Sequence, residues 1–147
     1  MLTSVLTISL AALASAMPVA LSPRQTTCYS GVYVIGVRGS EEAAGFGSTA
    51  SVVTGVLAAI PNSGSVALDY PASVLDPLYP ESVVDGINAL ITLVEDYANS
   101  CGGEIVLVGF SQGGNVITDM LAGGVDKPTP LAPSYVDYSE FLMPLSM

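Results

Sequence analysis

The sequence contains no histidine and very few basic residues. Its 147 residues include only three cations, Arg24, Arg38 and Lys127, against 13 acidic residues, so the formal net charge is −10. A chain with this balance has no basic patch that would hold a phosphate backbone, which excludes nucleic acid as a partner. Charged residues make up only 11% of the chain and hydrophobic residues 50%, a composition that excludes an intrinsically disordered protein.

The sequence also lacks an apolar run long enough for a comfortable membrane span. Residues 2–13 are apolar enough for the core of a signal peptide, but a helical span needs about 20 apolar residues, so we expect no membrane association. Residues 1–20 carry no charged side chain, and Ala14-Ser15-Ala16 has the small-x-small pattern of a cleavage site. We therefore predict a signal peptide at 1–20, a secreted, extracellular protein and one domain at 21–147. A short buried helix or a membrane anchor is the alternative for the leader.

Cysteine is scarce as well, with only Cys28 and Cys101. Two cysteines without histidine do not supply four zinc ligands, so we expect no metal, and no sequence feature points to a cofactor. In the oxidising environment of a secreted protein an even pair predicts one disulfide, and two buried thiols are the alternative.

Short apolar runs rich in β-branched residues alternate with helical patterns along the rest of the chain. The runs predict buried strands at 31–37, 65–70 and 104–110. Helices are predicted at 48–60, 82–100 and 112–121, the first with Val52, Val53, Val56, Leu57 and Ile60 on one face. This alternation, with continuous rather than alternating apolar strands, predicts an α/β fold with a parallel sheet and helices on both faces.

The pattern Gly109-x-Ser111-x-Gly113 lies directly between the third predicted strand and the helix after it. In that context it predicts a nucleophile elbow with Ser111 exposed at the turn, and a Gly-Ser turn without chemistry is the alternative. The N–H of Gln112, at the start of the helix, is the natural first donor to an oxyanion. Ser40, in the loop after the first strand, is the candidate second donor, unless that loop is an ordinary polar connection.

Together these features resemble the secreted fungal cutinases and acetylxylan esterases. The resemblance covers residues 28–124 and is carried by motifs in matching order: Arg38-Gly39-Ser40-Glu41, Gly45-Phe46-Gly47, Asp69-Tyr70-Pro71-Ala72, Cys101 and Gly109-Phe110-Ser111-Gln112-Gly113-Gly114. It implies a three-layer α/β/α hydrolase fold, Ser111 as nucleophile, Ser40 and the Gln112 N–H as oxyanion hole, and a Cys28–Cys101 disulfide. It also implies an enzyme for carboxylic esters such as cutin, acetylxylan, another plant cell-wall polymer or short acyl esters, and we expect a monomer.

The sequence departs from this family after the nucleophile, where the family has its catalytic acid, its histidine and further cysteines. We therefore expect a partial domain that lacks the C-terminal strands. Without an imidazole Ser111 is a weak nucleophile, so we expect this chain to be almost inactive. Lys127 is a poor substitute base, and Asp119, Asp126 and Asp137 qualify as catalytic acids by residue type alone. A secreted non-catalytic acyl- or polysaccharide-binding protein, with its cleft at Ser40, Tyr70 and Ser111, and a non-functional fragment are the alternatives.

Overall fold

The computed structural model describes residues 26–124 and Leu131; the predicted signal peptide lies outside these residues. The described part alternates strands and helices. The elements are β1 Tyr33–Val37, α1 Ala50–Ala59 after a 3-10 turn at Gly47–Thr49, β2 Gly64–Ala67, α2 Tyr79–Cys101, β3 Ile105–Gly109 and α3 Gln112–Ala122. None of the helices described is long and apolar enough to cross a membrane.

The three strands form one parallel sheet in the order β2-β1-β3. In the described part of the chain β1 is therefore the central strand, and its last four residues are buried. Ile35 and Val37 point into the larger core beside α2 and α3, whereas Val34 points into a smaller core beside α1. The parallel sheet with helices on both faces, predicted from the sequence, is confirmed.

Helix α2 begins and ends at residues that favour helix termini. Pro80 lies in its first turn, where a missing N–H costs nothing, and Glu81 places a negative charge near the positive end of the helix dipole. Gly102 ends the helix in the left-handed conformation with φ of 65°. The helix begins three residues before the predicted boundary at 82, because the apolar periodicity could not detect a first turn built around proline.

The predicted single apolar face of α1 is wrong in two places. Val52 is 53% exposed, and Ile60 is 37% exposed because it follows the helix in an extended conformation. Only Val53 of this helix is fully buried. Almost every residue of α1 is apolar or small, so the sequence contained little contrast from which to choose a face.

Cys28 and Cys101 form a disulfide with their Cα atoms 5.3 Å apart, as predicted. It joins the segment before β1 to the last residue of α2. Stacked tyrosine rings lie beside this link: Tyr33 is 4.2 Å from Tyr97 and 6.0 Å from Tyr29 between ring centroids. The disulfide therefore fixes the N-terminal end of the described sheet to its largest helix.

Candidate active site

Ser111 occupies a strained turn between β3 and α3. Its φ of 51° and ψ of −117° lie in a region that residues with a side chain rarely adopt, and the residue is exposed. The two flanking glycines make the turn possible. A Cβ on Gly109 would lie 2.6 Å from the carbonyl oxygen of Gly113, and a Cβ on Gly113 would lie 2.1 Å from that of Val37. The predicted strand, turn and helix around the serine are thus all present.

The first turn of α3 leaves one backbone amide beside the serine without a partner. Gly113 N–H donates to the Phe110 carbonyl and Gly114 N–H to the Ser111 carbonyl, both at 2.9 Å. The Gln112 N–H, which precedes them, has no acceptor within residues 26–124 or at Leu131. An unpaired amide at a helix N-terminus is suited to stabilise negative charge.

The side chain of Gln112 has a separate, structural role that the sequence did not reveal. It is fully buried, and its Nε2 donates to the Ser73 carbonyl at 2.9 Å. Its Oε1 accepts a longer hydrogen bond from the Ser82 hydroxyl at 3.4 Å. Gln112 therefore ties the start of α3 to the loop after β2 and to α2, which holds its backbone N–H in place.

The loop after β1 lies against the serine turn, because β1 and β3 are neighbours. Gly39 makes the contact: a Cβ built there would lie 3.3 Å from the Ser111 Cβ and 2.8 Å from the Phe110 ring. Ser40 follows directly and is half-buried, and neither its N–H nor its hydroxyl has a hydrogen-bond partner in the described structure. The loop after β1 thus packs against the turn at Ser111, as predicted, and the N–H and hydroxyl of Ser40 can donate hydrogen bonds to another group.

Arg38 holds the loop after β1 in place through hydrogen bonds to backbone carbonyls. It is only 5% exposed, and its guanidinium donates to the carbonyls of Leu68, at 3.1 Å, Tyr70 and Pro71 in the segment after β2. Its Nε donates to the Glu42 carbonyl at 3.0 Å. The Tyr70 hydroxyl donates back to the Arg38 carbonyl at 2.7 Å, and burial raises the pKa of Tyr70 to about 12. Arg38 thus joins the loops that follow β1 and β2.

Glu42 fixes the other side of the same loop. Its carboxylate accepts hydrogen bonds from the Gly39 N–H at 2.6 Å and from Ser48, through the N–H at 2.9 Å and the hydroxyl at 2.5 Å. These bonds, that from the Ser48 hydroxyl first, lower the pKa of Glu42 below its ordinary value of 4.5. Glu42 therefore acts as a charged brace for the turn that carries Ser40.

We expect the variant Glu42→Gln to be less stable than the wild type at pH 7, because an amide oxygen accepts these hydrogen bonds more weakly. A carboxylate with a lowered pKa stabilises the fold fully above 4.5 and loses that effect as the pH falls through its folded-state value. The difference in melting temperature, followed by circular dichroism, should therefore vanish well below pH 4.5. A difference that stays constant with pH, or appears equally in the exposed-site control Glu104→Gln, would contradict this role.

Apolar side chains are exposed beside Ser111 and in the loop before α2. Phe110, adjacent to Ser111, is 51% exposed. The loop before α2 contributes Leu75 at 80% and Leu78 at 55% exposure, and it is joined to the elbow through the Gln112 bond to Ser73. These side chains present apolar surface to solvent.

Of the candidate catalytic acids, the described residues include only Asp119, and it is not beside Ser111. Asp119 lies eight residues further along α3, roughly 12 Å away at 1.5 Å per residue, which is beyond hydrogen-bond reach. Asp126, Lys127 and Asp137 lie outside the described residues, and the sequence contains no histidine.

Residues 28–140 match the sequence model of a family described as Cutinase. The chain belongs to the cutinase family. This cutinase-family chain is 37% identical over 119 residues to acetylxylan esterase 2 of Talaromyces purpureogenus, a match that covers 77% of this chain and 50% of that protein. It is 37% identical over 101 residues to cutinase 11 of Verticillium dahliae, covering 65% of this chain and 34% of that protein.

A solved structure supports the same family. The catalytic core domain of acetyl xylan esterase from Trichoderma reesei superposes with a TM-score of 0.65 at 35% identity, over 72% of this chain and 55% of that one. These names place the family among the carboxylic ester hydrolases. The chain spans half or less of the length of the curated relatives it matches.

Proposed function

We propose that the site around Ser111 is that of a carboxylic ester hydrolase, with Ser111 as the nucleophile. The observation that carries the proposal is the strained backbone of Ser111 between β3 and α3, with Gly39 packed against it. A serine in an ordinary turn would not have a φ of 51°, nor would it need glycine on both sides at positions where the packing leaves no room for a Cβ. Membership of the cutinase family supports the same chemistry.

The roles of the neighbouring groups follow from charge development during acyl transfer. The Ser111 hydroxyl would attack the ester carbonyl, and the carbonyl oxygen would become negative. The Gln112 N–H and the N–H and hydroxyl of Ser40 would donate hydrogen bonds to that oxygen. Collapse of the intermediate would release the alcohol and leave an acyl group on Ser111, which water would then hydrolyse.

This sequence of steps requires a base that removes the Ser111 proton and an acid that protonates the leaving alcohol. Histidine fills both roles in most such sites, and none of the 147 residues is histidine. We therefore propose that this chain by itself hydrolyses esters only at the residual rate that binding and oxyanion donors provide.

The substrate we propose is an uncharged ester of a cell-wall polymer or a short acyl chain. The net charge of −10 disfavours anionic substrates, and the exposed Phe110, Leu75 and Leu78 offer apolar contacts to an acyl group. The same apolar surface supports a second candidate, a protein that binds an acyl chain at this cleft without hydrolysis.

We further propose that the protein is secreted as a monomer, with residues 1–20 as its signal peptide. A disulfide that closes a long loop is typical of proteins from oxidising compartments, and the uncharged leader fits export.

Hydrolysis of p-nitrophenyl acetate and butyrate by the purified chain tests the proposal. We expect the wild type and Ser111→Ala to agree within about twofold, because the serine has no base. A wild-type rate more than tenfold above that of the variant would contradict the inactivity. Retention of a fluorescent fatty acyl probe by both proteins, without turnover, would favour the binding protein.

A further inference from the structure

A groove runs along the outer side of β2, separate from the serine turn. It has a volume of about 500 Å³, within the range of sites for small molecules. Its floor includes Val66, and its wall is the face of α2 that carries Ala89 and Leu93. β2 lies two strand spacings, roughly 10 Å, from β3. The groove is therefore a concave surface that the ester chemistry leaves unused.

The backbone of β2 presents polar groups to this groove. Gly64 N–H donates to the Val32 carbonyl at 3.0 Å and Leu68 N–H to the Gly36 carbonyl at 2.8 Å, so these even-numbered residues point their amides toward β1. Because backbone groups alternate in direction along a strand, the N–H and C=O of Ser65 and Ala67 face outward. Within the described residues β2 pairs with β1 alone, so this edge offers free donors and acceptors to a ligand.

Side chains add acceptors along both rims. Asp69 and Asp96 line the groove and are exposed, and ionised carboxylates accept several hydrogen bonds each. Thr92 also lines the groove; its hydroxyl donates to the Asn88 carbonyl at 3.0 Å, so its oxygen can still accept a hydrogen bond from a ligand. The groove thus combines an apolar floor with a rim of hydrogen-bonding groups and negative charge.

The tyrosines at one end of the groove form a rigid stack rather than a cage for a cation. Tyr33 has its ring plane nearly parallel to those of Tyr29 and Tyr97, and at 4.2 Å between centroids Tyr97 covers one of its faces. The Tyr29 N–H donates to the Tyr97 hydroxyl at 3.2 Å, which fixes the stack. A cation–π site needs an open ring face, and the Tyr33 face that stacks on Tyr97 is not open.

We propose that this groove binds a neutral oligosaccharide segment, with sugar C–H faces on the apolar floor and sugar hydroxyls on the β2 edge, Asp69 and Asp96. The alternation of apolar floor and polar rim matches the two kinds of surface on a pyranose ring. The carboxylates reject anionic polymers by repulsion and accept hydrogen bonds from uncharged hydroxyls.

The test is a binding titration in the Ser111→Ala background, so that hydrolysis plays no part in the result. Xylohexaose and cellohexaose are added to the isotopically labelled chain, and amide shifts are followed by NMR. We expect saturable shifts at Ser65, Ala67 and Thr92. The double variant Asp69→Asn/Asp96→Asn should bind about tenfold more weakly, because carboxylates form the stronger hydrogen bonds. The matched control Asp85→Asn, on the same helix outside the groove, should bind like the parent.

Three results would overturn the proposal: no shifts at millimolar saccharide, equal binding of oligogalacturonate, and a response of the groove amides to tetramethylammonium but not to sugar. Spectra of each variant without ligand establish that it is folded, so that lost binding reports on the groove. Failure here would leave the ester proposal intact, and measurable ester turnover would leave the groove proposal intact.

Discussion

Replacing Gly113 by alanine should destabilise the fold by about 4 kcal/mol or more, enough to leave a small domain largely unfolded. The added Cβ would lie 2.1 Å from the Val37 carbonyl oxygen and 2.7 Å from that of Arg38. Both atoms belong to backbone, and Val37 ends the buried central strand, so neither can move aside cheaply. The clash would push α3 away from β1 and open the turn that carries Ser111. Urea unfolding followed by circular dichroism measures the loss.

Gly114 is the matched control, because it is the next residue of the same helix. A Cβ built on Gly114 meets nothing within 4 Å. Gly114→Ala should therefore leave stability unchanged or raise it by up to about 1 kcal/mol, since alanine is the better helix former. Similar unfolding midpoints for the two variants would contradict the close approach of α3 to β1.

Removal of the disulfide by Cys28→Ser/Cys101→Ser should cost about 4 kcal/mol of unfolding free energy. The bond closes a loop with a sequence separation of 73 residues, and in the chain-entropy model a loop of that length constrains the unfolded chain by about this amount. The effect should be large relative to the total stability of a domain this small. Urea unfolding of the purified double variant gives the value.

The wild type treated with a reducing agent provides the control for that prediction. Reduction breaks the same bond without a change of side chain, so its unfolding midpoint should match that of the double variant. A loss below about 1 kcal/mol in both would mean that the unfolded chain is already compact, or that the bond contributes little to the fold.

The sequence predicted those parts of the fold in which a local pattern of residues is compatible with only one kind of secondary structure. The apolar run before Gly109 is β-branched and short, and the structure has β3 there. The periodic apolar residues of 82–100 fall within α2. Gly109 and Gly113 bracket Ser111 because the turn excludes a Cβ at each, and a spacing of this kind is visible in the sequence.

The supports of the site were harder to predict, because they depend on residues far apart in the chain. Arg38 binds carbonyls some 30 residues away, and such contacts leave no mark in local composition. Gln112 was expected to contribute only its backbone N–H, and its buried side chain emerged from the packing of α3 against the loop at Ser73. The contact between Arg38 and the Glu42 carbonyl is local, because the two residues are only four positions apart.

The groove beside β2 was also absent from the sequence prediction. Its residues come from three separate segments: the approach to β1, β2 itself and the second half of α2. Each segment looks ordinary alone, and only the pairing of β1 with β2 and the path of α2 bring them together.

We propose that Ser111 is held as an esterase nucleophile but lacks the imidazole that would act first as its base and then as the acid for the leaving alcohol. The most direct test is hydrolysis of p-nitrophenyl acetate with increasing free imidazole, for the wild type and Ser111→Ala. We expect equal rates without imidazole and a saturable excess of the wild type over the variant as imidazole rises. The variant corrects for hydrolysis by imidazole in solution. Rates that remain equal at every imidazole concentration, or a wild type already far faster without it, would contradict this role of Ser111.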